Sequence, residues 1–540
     1  MLNQTPLASS EFSADRLKSL FAPDGFSRAS HHTELKSVGV IGGGTAGYIT
    51  ALCLKKAFPA LDVTVVASSK IPVIGVGEAT TPLLPKLLHR FLGLDVVDFY
   101  EKVRPTWKLG IRFDWGKPGD YYFNYPFEPG DLVESLAYES HINGANHQGR
   151  LMSRNCTPFF KQADGTIHAG LHYAPFAYHM ENRRFVAYLE ENLAGAGIKT
   201  LDRMVVDADV STTDRIDSVI TEEGDRLSYD MFIDCTGFRS VLLKKLGAKF
   251  VSFKSSLLTN VALTAKVPNH GFIKPYTTAK TMDSGWCWVI PHDDIDHIGY
   301  VHCSDFCDLD SAEQELRAKF PGIEPETKPV HFRSGRHDHF WHGNVVAVGN
   351  AYGFVEPLES TAIHVIIEEA NMLVNNFPET LDQVHIPKKV NDRINNRWDQ
   401  LRGFLAIHYK FNKKLDTPFW RFAREEVDLA DGEQYLHAYQ ESAPLGGRRH
   451  RLWEAPECFD DAGYDTLLMG QEVPARMMKP KCTEAQWRER YDQGERILDT
   501  ALTHAEALEF LAANPDELRR TVGDESATGN SFGGMLEPLY

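Results

Sequence analysis

KSVGVIGGGTAGYITALCLKKAF, residues 36–58, is the stretch that decides the fold. Its short apolar run, Val38–Ile41, reads as a buried parallel strand. Gly42, Gly44 and Gly47 follow directly in the pattern G-x-G-x-x-G, and Ala46, Ile49, Leu52 and Leu54 continue as a mainly apolar helix. Between a strand and a helix each glycine has a reason. The first permits a tight turn, the second lets a pyrophosphate approach the backbone, and the third lets helix and strand close on each other. Free N–H groups at the helix start, around Thr45 and Ala46, then face the phosphates. LDVTVVAS (61–68) supplies the next strand and completes a βαβ unit. An acidic residue normally ends that strand and holds the ribose. Here the place is taken by Ala67, followed by Ser68 and Ser69, so Ser68 is the candidate ribose contact, uncharged.

Outward from this unit, residues 69–115 read as a long loop and helix. Residues 116–175 are rich in Gly, Tyr, Phe, Asn and His without a regular period, which in a compact enzyme marks a site or a lid. RRFVAYLEENLAGAG (183–197) is a helix closed by glycine, and alternating strands follow through residues 205–237 and 251–303. NVVAVGNA (344–351) reads as a buried strand ending in a turn, and residues 361–377 as a helix. From 388 onward the pattern is largely helical, broken at Pro418, Pro444 and Pro456. The chain thus divides into an N-terminal extension, 1–36, with one short helix in residues 11–21; a core, 37–387; and a helical lobe, 388–540.

The bulk composition narrows the function. With 540 residues and 43% apolar content, a large core forms. The net charge of −17 repels phosphate backbones and argues against nucleic acid as a partner. Eight cysteines are scattered; Cys303 and Cys307 lack a second pair at zinc-like spacing, so reduced thiols and no metal are expected. No secretion signal and no run of about 18 apolar residues is evident, so a cytoplasmic protein without a membrane partner is expected.

Two further segments, read by resemblance, argue for a flavin rather than a nicotinamide. DMFIDCTGFRS (230–240), carrying Asp234 and Gly237, resembles the segment that returns to FAD in flavoprotein hydroxylases. VVAVGNA (345–351), with Gly349 and Asn350 and then Phe354, sits where those proteins bind the ribityl chain. Only one Gly-rich dinucleotide pattern is present, so the flavin is expected to arrive reduced, as FADH2, from a separate flavin reductase.

SGWCWVIP (284–291) resembles the W-x-W-x-I-P signature of flavin-dependent halogenases, through Trp286, Trp288, Ile290 and Pro291. VIGGGTAGY, IPVIGVGEATTP (71–82), TWKLGIRF (106–113), FVEPLESTAIHV (354–365) and DTPFWRFAREEVDLADG (416–432) occur in the order found in the tryptophan-halogenase clan. The resemblance covers most of residues 37–435. It implies an α/β, FAD-binding, Rossmann-like flavoprotein monooxygenase fold with a helical C-terminal lobe. It also implies an activity: reduced FAD, oxygen and chloride or bromide yield hypohalous acid, which halogenates an electron-rich aromatic ring.

By the same resemblance, Lys108 holds hypohalous acid or forms a haloamine, and Glu359 stabilises the cationic ring and removes its proton. Read without it, Lys108 is a surface lysine and Glu359 a helix N-terminal acid, with Glu356 the structural acid of the same loop. Trp286 and Trp288 stand between flavin and substrate; alone, two tryptophans at this spacing share one face of a strand and stack in a core. The halide falls to the N–H groups of Thr361 and Ala362, with Ser360 adjacent; Ala362 stands where the family usually has glycine. Gly75, Gly77, Glu78 and Ala79 form the loop beside the isoalloxazine ring.

For the substrate, Tyr125 and Phe127 in FNYPF (123–127) are the candidate aromatic walls. The adjacent tyrosine pair that clamps a free amino acid is missing around 440–470, where Trp453 and Glu454 do not restore the family spacing. The expected substrate is therefore an indole or phenol without a fixed zwitterion, or a larger molecule, rather than free tryptophan. Arg448, Arg449 and Arg451 read either as a solvated loop or as a contact for an acidic substrate. Monomer and homodimer are both open. Two other functions fit parts of the pattern. A two-component flavin-dependent aromatic hydroxylase needs the Gly-rich turn but not Trp286, Trp288 or Lys108, and a non-catalytic flavin binder needs none of the three.

Overall fold

The computed structural model describes residues 35–72, 77–172, 175–378, 380, 385–446 and 459–523. The expected N-terminal helix, Gly75, Arg448, Arg449, Arg451, Trp453, Glu454 and Pro456 lie outside them.

The strand Ser37–Ile41 occupies the middle of a six-stranded sheet ordered Lys199–Asp202, Asp62–Ala67, Ser37–Ile41, Met231–Asp234, Val345–Ala347, Trp341–His342. All pairings are parallel except the last. Parallel strands must be covered on both faces, which is why VGVI, VTVV and MFID read as unbroken buried runs. Helix Gly44–Ala57 packs against helices Asn182–Gly195 and Ala362–Asn375. Toward the other face, Ile41, Val66, Phe232 and Val345 meet Val205, Ile216, Val219 and Leu242 in a separate apolar cluster.

A seven-stranded sheet, Lys328–His331, Val261–Pro268, Ile295–His302, Gly285–Pro291, Thr277–Met282, Gly110–Asp114, Phe123–Pro126, carries the tryptophan segment near its centre. A third sheet joins Gly77–Ala79 and Thr106–Lys108 to opposite edges of Ala177–Glu181. It links the loop after the second parallel strand to Lys108.

The C-terminal part is helical as the sequence predicts, apart from a short strand at Ala501–Thr503. Pro418 is the first residue of its helix, capped by the Thr417 hydroxyl, and the helix Gly432–Glu441 stops before Pro444. The helix His385–Phe411 runs across position 387, where the core was expected to end. Its buried residues join a continuous apolar core that extends from Leu35 to Val522. Among the described residues, no helix is long and apolar enough to cross a membrane.

Candidate active site

A cavity of about 780 Å³ opens over the Gly-rich turn, within the size range of cofactor sites. Its wall includes Gly42, Gly44, Thr45, Ala46, Ser68, Gly77, Glu78, Ala79, Gly237, Asn350 and Phe354. Gly44 has φ +78° and open space where a Cβ would stand, so backbone N–H groups are bared toward the cavity. Gly47 lies outside the wall because its task is contact: a Cβ there would collide with the carbonyl oxygen of Gly42. The donor set and the open cradle fit a dinucleotide with its pyrophosphate at the helix N-terminus.

Two residues expected at the cofactor are engaged elsewhere. Asp234 does not reach the wall; its carboxylate accepts from Thr236 N and Oγ1 and from Leu242 N and Leu243 N at 2.6–3.0 Å, tying down the turn that positions Gly237. Gly349 also lies behind the wall, its N–H donating to Glu369 at 2.6 Å. Burial pushes the Glu369 carboxyl up to about 8, so an uncharged acid supports this turn at neutral pH. On the wall itself, burial raises Glu78 to about 7.

Trp286 and Trp288 extend from the same face of strand Gly285–Pro291, with ring centroids 6.1 Å apart and planes at 61°. Trp288 and Ile290 form cavity wall; Trp286 and Pro291 do not. Trp286 is fixed from behind: its indole N–H donates to Glu356 Oε2 at 2.7 Å, an oxygen that also accepts from Thr259 at 2.8 Å and Tyr409 at 2.5 Å. Glu356 is fully buried, and its other oxygen has no partner. Burial raises its pKa against the pull of those three donors.

Lys108 is 0% exposed, which excludes the surface reading. Its ammonium donates to Ser360 Oγ at 2.7 Å and to the Thr80 carbonyl at 3.0 Å, and lies 5.3 Å from the centre of the Phe127 ring. Burial lowers its pKa to about 7, opposed by the charge of Glu359. Glu359 is also buried, and it pairs with His408 Nε2 at 2.7 Å rather than capping a helix. His408 Nδ1 contacts the Phe404 carbonyl at 3.1 Å, which orients the ring along helix His385–Phe411.

Ser360 connects these parts. It adopts φ +59°, a left-handed conformation costing a residue with a Cβ about 1–2 kcal/mol. That turn presents Ser360 to both Lys108 and the cavity, while Glu359 beside it faces His408. Thr361 then caps the 14-residue helix Ala362–Asn375 without a side-chain bond, and Ala362 faces the cavity.

An aromatic cluster packs around His408. Phe113 and Phe404 each approach the His408 ring to 5.2 Å, and Tyr125 approaches Phe113 to 6.2 Å and Phe404 to 6.5 Å. Burial, then the nearby Glu359 charge, raise the Tyr125 phenol well above its usual range. The sequence did not single out His408, Phe113 or Phe404. The available signal was a histidine inside the buried run Phe404–Tyr409.

The tryptophan halogenase family model matches residues 37–486. The chain belongs to the tryptophan halogenase family. MibH, a lanthipeptide tryptophan 5-halogenase, is 43% identical, with 93% of this chain and 98% of MibH covered at a TM-score of 0.88. The tryptophan 6-halogenase SttH of Streptomyces toxytricini is 33% identical over 459 residues, covering 75% of this chain and 86% of SttH. The tryptophan 7-halogenase RebH of Lentzea aerocolonigenes is 30% identical over 431 residues, covering 73% and 80%. The protein is thus an enzyme, a flavin-dependent halogenase using FAD and halide, with the FAD-binding α/β fold. The hydroxylase alternative has no support among these relatives, and the non-catalytic alternative falls with it. Among the described residues, no cluster of His, Cys, Asp or Glu could hold a metal.

Proposed function

We propose that this halogenase acts on the indole of a tryptophan residue within a peptide, with Lys108 and Glu359 as its catalytic pair. One observation carries the assignment of the pair: a fully buried lysine ammonium, bonded to Ser360, beside the carboxylate of the preceding residue, Glu359. Bound FADH2, supplied by a separate reductase, provides with oxygen the oxidising power that turns halide into hypohalous acid. The chain's own residues do the rest. Gly42, Gly44, Thr45, Ala46 and Asn350 would hold the cofactor, Glu78 and Ala79 lie on the same wall where its ring would pass, and the helix start at Thr361 and Ala362 would offer N–H groups to the halide. Trp288 and Ile290, on the cavity wall, would stand between the cofactor and the substrate. Lys108, near half-protonated at neutral pH, holds the oxidised halogen by hydrogen bond or as a haloamine. Glu359, steadied by His408, stabilises the cationic ring and accepts its proton. Phe127 beside Lys108, and Phe113, Tyr125 and Phe404 around His408, are the aromatic side chains the indole would meet.

A peptide substrate is favoured over free tryptophan because the sequence lacks an adjacent tyrosine pair in 440–470. MibH, whose name specifies a lanthipeptide tryptophan, also covers nearly the whole chain. The test supplies FAD, a flavin reductase, NADH and bromide, and compares free tryptophan with tryptophan-containing peptides by mass spectrometry. Bromine is expected on the peptide indole. Bromination of free tryptophan alone refutes the substrate assignment.

A further inference from the structure

The second parallel strand of the FAD unit ends in Ala67, a methyl group where a ribose-binding acid normally stands. The structure holds two carboxylates near that point. Asp202 pairs with Ala67 in the adjacent strand, but its two oxygens accept from Ser69 N at 2.9 Å and Ser69 Oγ at 2.8 Å. Glu190 is the other. It lies on helix Asn182–Gly195 at helical spacing from Asn182 and Val186, and all three face the cavity. Its side chain is solvent-accessible, whereas Tyr48 beside it is buried.

Tyr48 fixes where this acid points. A Cβ built on Gly43 would lie 2.9 Å from both the Tyr48 hydroxyl and the Ala67 methyl, so the phenol reaches the ground beside Ala67. Burial, then the Glu190 carboxylate, push that phenol up to about 12, as expected of a buried hydroxyl donating to a carboxylate. We propose that Glu190, oriented by Tyr48, accepts the hydrogen bonds of the adenosine ribose hydroxyls of FAD, replacing the acid lost at Ala67. The assignment rests on the reading of the cavity as the FAD site. The ribose acceptor is thereby moved from the strand end to the face of a neighbouring helix.

Flavin fluorescence titration of the wild type and Glu190→Ala with FAD and with FMN tests this. FMN lacks the adenosine half, so it reports the ring and ribityl contacts alone. Alanine suits an exposed helix position, so folding is retained. Glu190→Ala is expected to raise the Kd for FAD about tenfold, the scale of a charge-assisted hydrogen bond, and to leave that for FMN unchanged. An unchanged Kd for FAD, or an equal loss for both flavins, overturns the proposal. Failure of the wild type to bind either flavin instead overturns the cavity reading, and the proposal with it.

Discussion

Replacing Lys108 by methionine should abolish halogenation while making the protein more stable at neutral pH. Burial lowers the lysine from its ordinary 10.5 to about 7. At 1.36 kcal/mol per pH unit this is a cost of about 5 kcal/mol for keeping the group inside at pH 7. Below pH 7 the cost is constant, because the folded and unfolded lysines are both protonated. Between pH 7 and 10.5 the unfolded chain binds the extra proton, so stability rises with pH and the cost shrinks. Methionine removes the cost and forfeits two hydrogen bonds, to Ser360 and Thr80, each worth about 1 kcal/mol. The expected gain is about 3 kcal/mol at pH 7 and close to zero at pH 9, since two pH units return about 2.7 kcal/mol. Calorimetric unfolding of both proteins at the two pH values measures it. The difference between the two gains is the decisive quantity, because packing changes contribute equally at both. A Lys108→Met protein whose stability relative to wild type is the same at pH 7 and pH 9 would refute the buried-ammonium account.

Three other perturbations separate the parts of the site. Glu359→Gln keeps the shape and a hydrogen bond to His408 but removes the base, so kcat should fall by about 10²–10⁴ with the melting temperature nearly unchanged. Glu356→Leu strips the acceptor from Trp286, Thr259 and Tyr409, and at about 1–3 kcal/mol for each stranded donor the loss should be at least about 3 kcal/mol, read from thermal unfolding. Gly47→Ala drives a Cβ into the Gly42 carbonyl and displaces the turn read as the pyrophosphate cradle, and flavin titration should show FAD binding lost.

What the sequence shows and what it hides divides along sequence separation. The Gly-rich turn is legible because the strand, the glycines and the helix are consecutive, and each glycine answers a local constraint. The tryptophans on one strand face are legible for the same reason, since a spacing of two fixes their side. Lys108 is different. Its strand is only Thr106–Lys108, and the groups that bury it come from Thr80, Phe127 and Ser360, far along the chain. Nothing local distinguishes it from a surface lysine, so only resemblance marks it. His408 is hidden for a related reason. It follows Glu359 by 49 positions, and a histidine in a helix reads first as a satisfied core residue. Glu190 is hidden because an exposed acid on a helix is the commonest of surface features.

The same geometry explains why the reactive groups are enclosed rather than displayed. Lys108 and Glu359 are both removed from solvent, and each has a partner that does not neutralise it outright: a hydroxyl for the lysine, an imidazole for the carboxylate. Water would compete for an oxidised halogen at either group, so burial protects the reagent, and its cost falls on the residues that use it. Ser360 makes this arrangement work. Its left-handed backbone turns consecutive side chains in different directions, so that one short loop faces the cofactor cavity, the lysine and the histidine at once. Strain of about 1–2 kcal/mol at that one residue is small beside the cost of burying the ammonium, and it is what brings the cavity wall and the catalytic pair into contact.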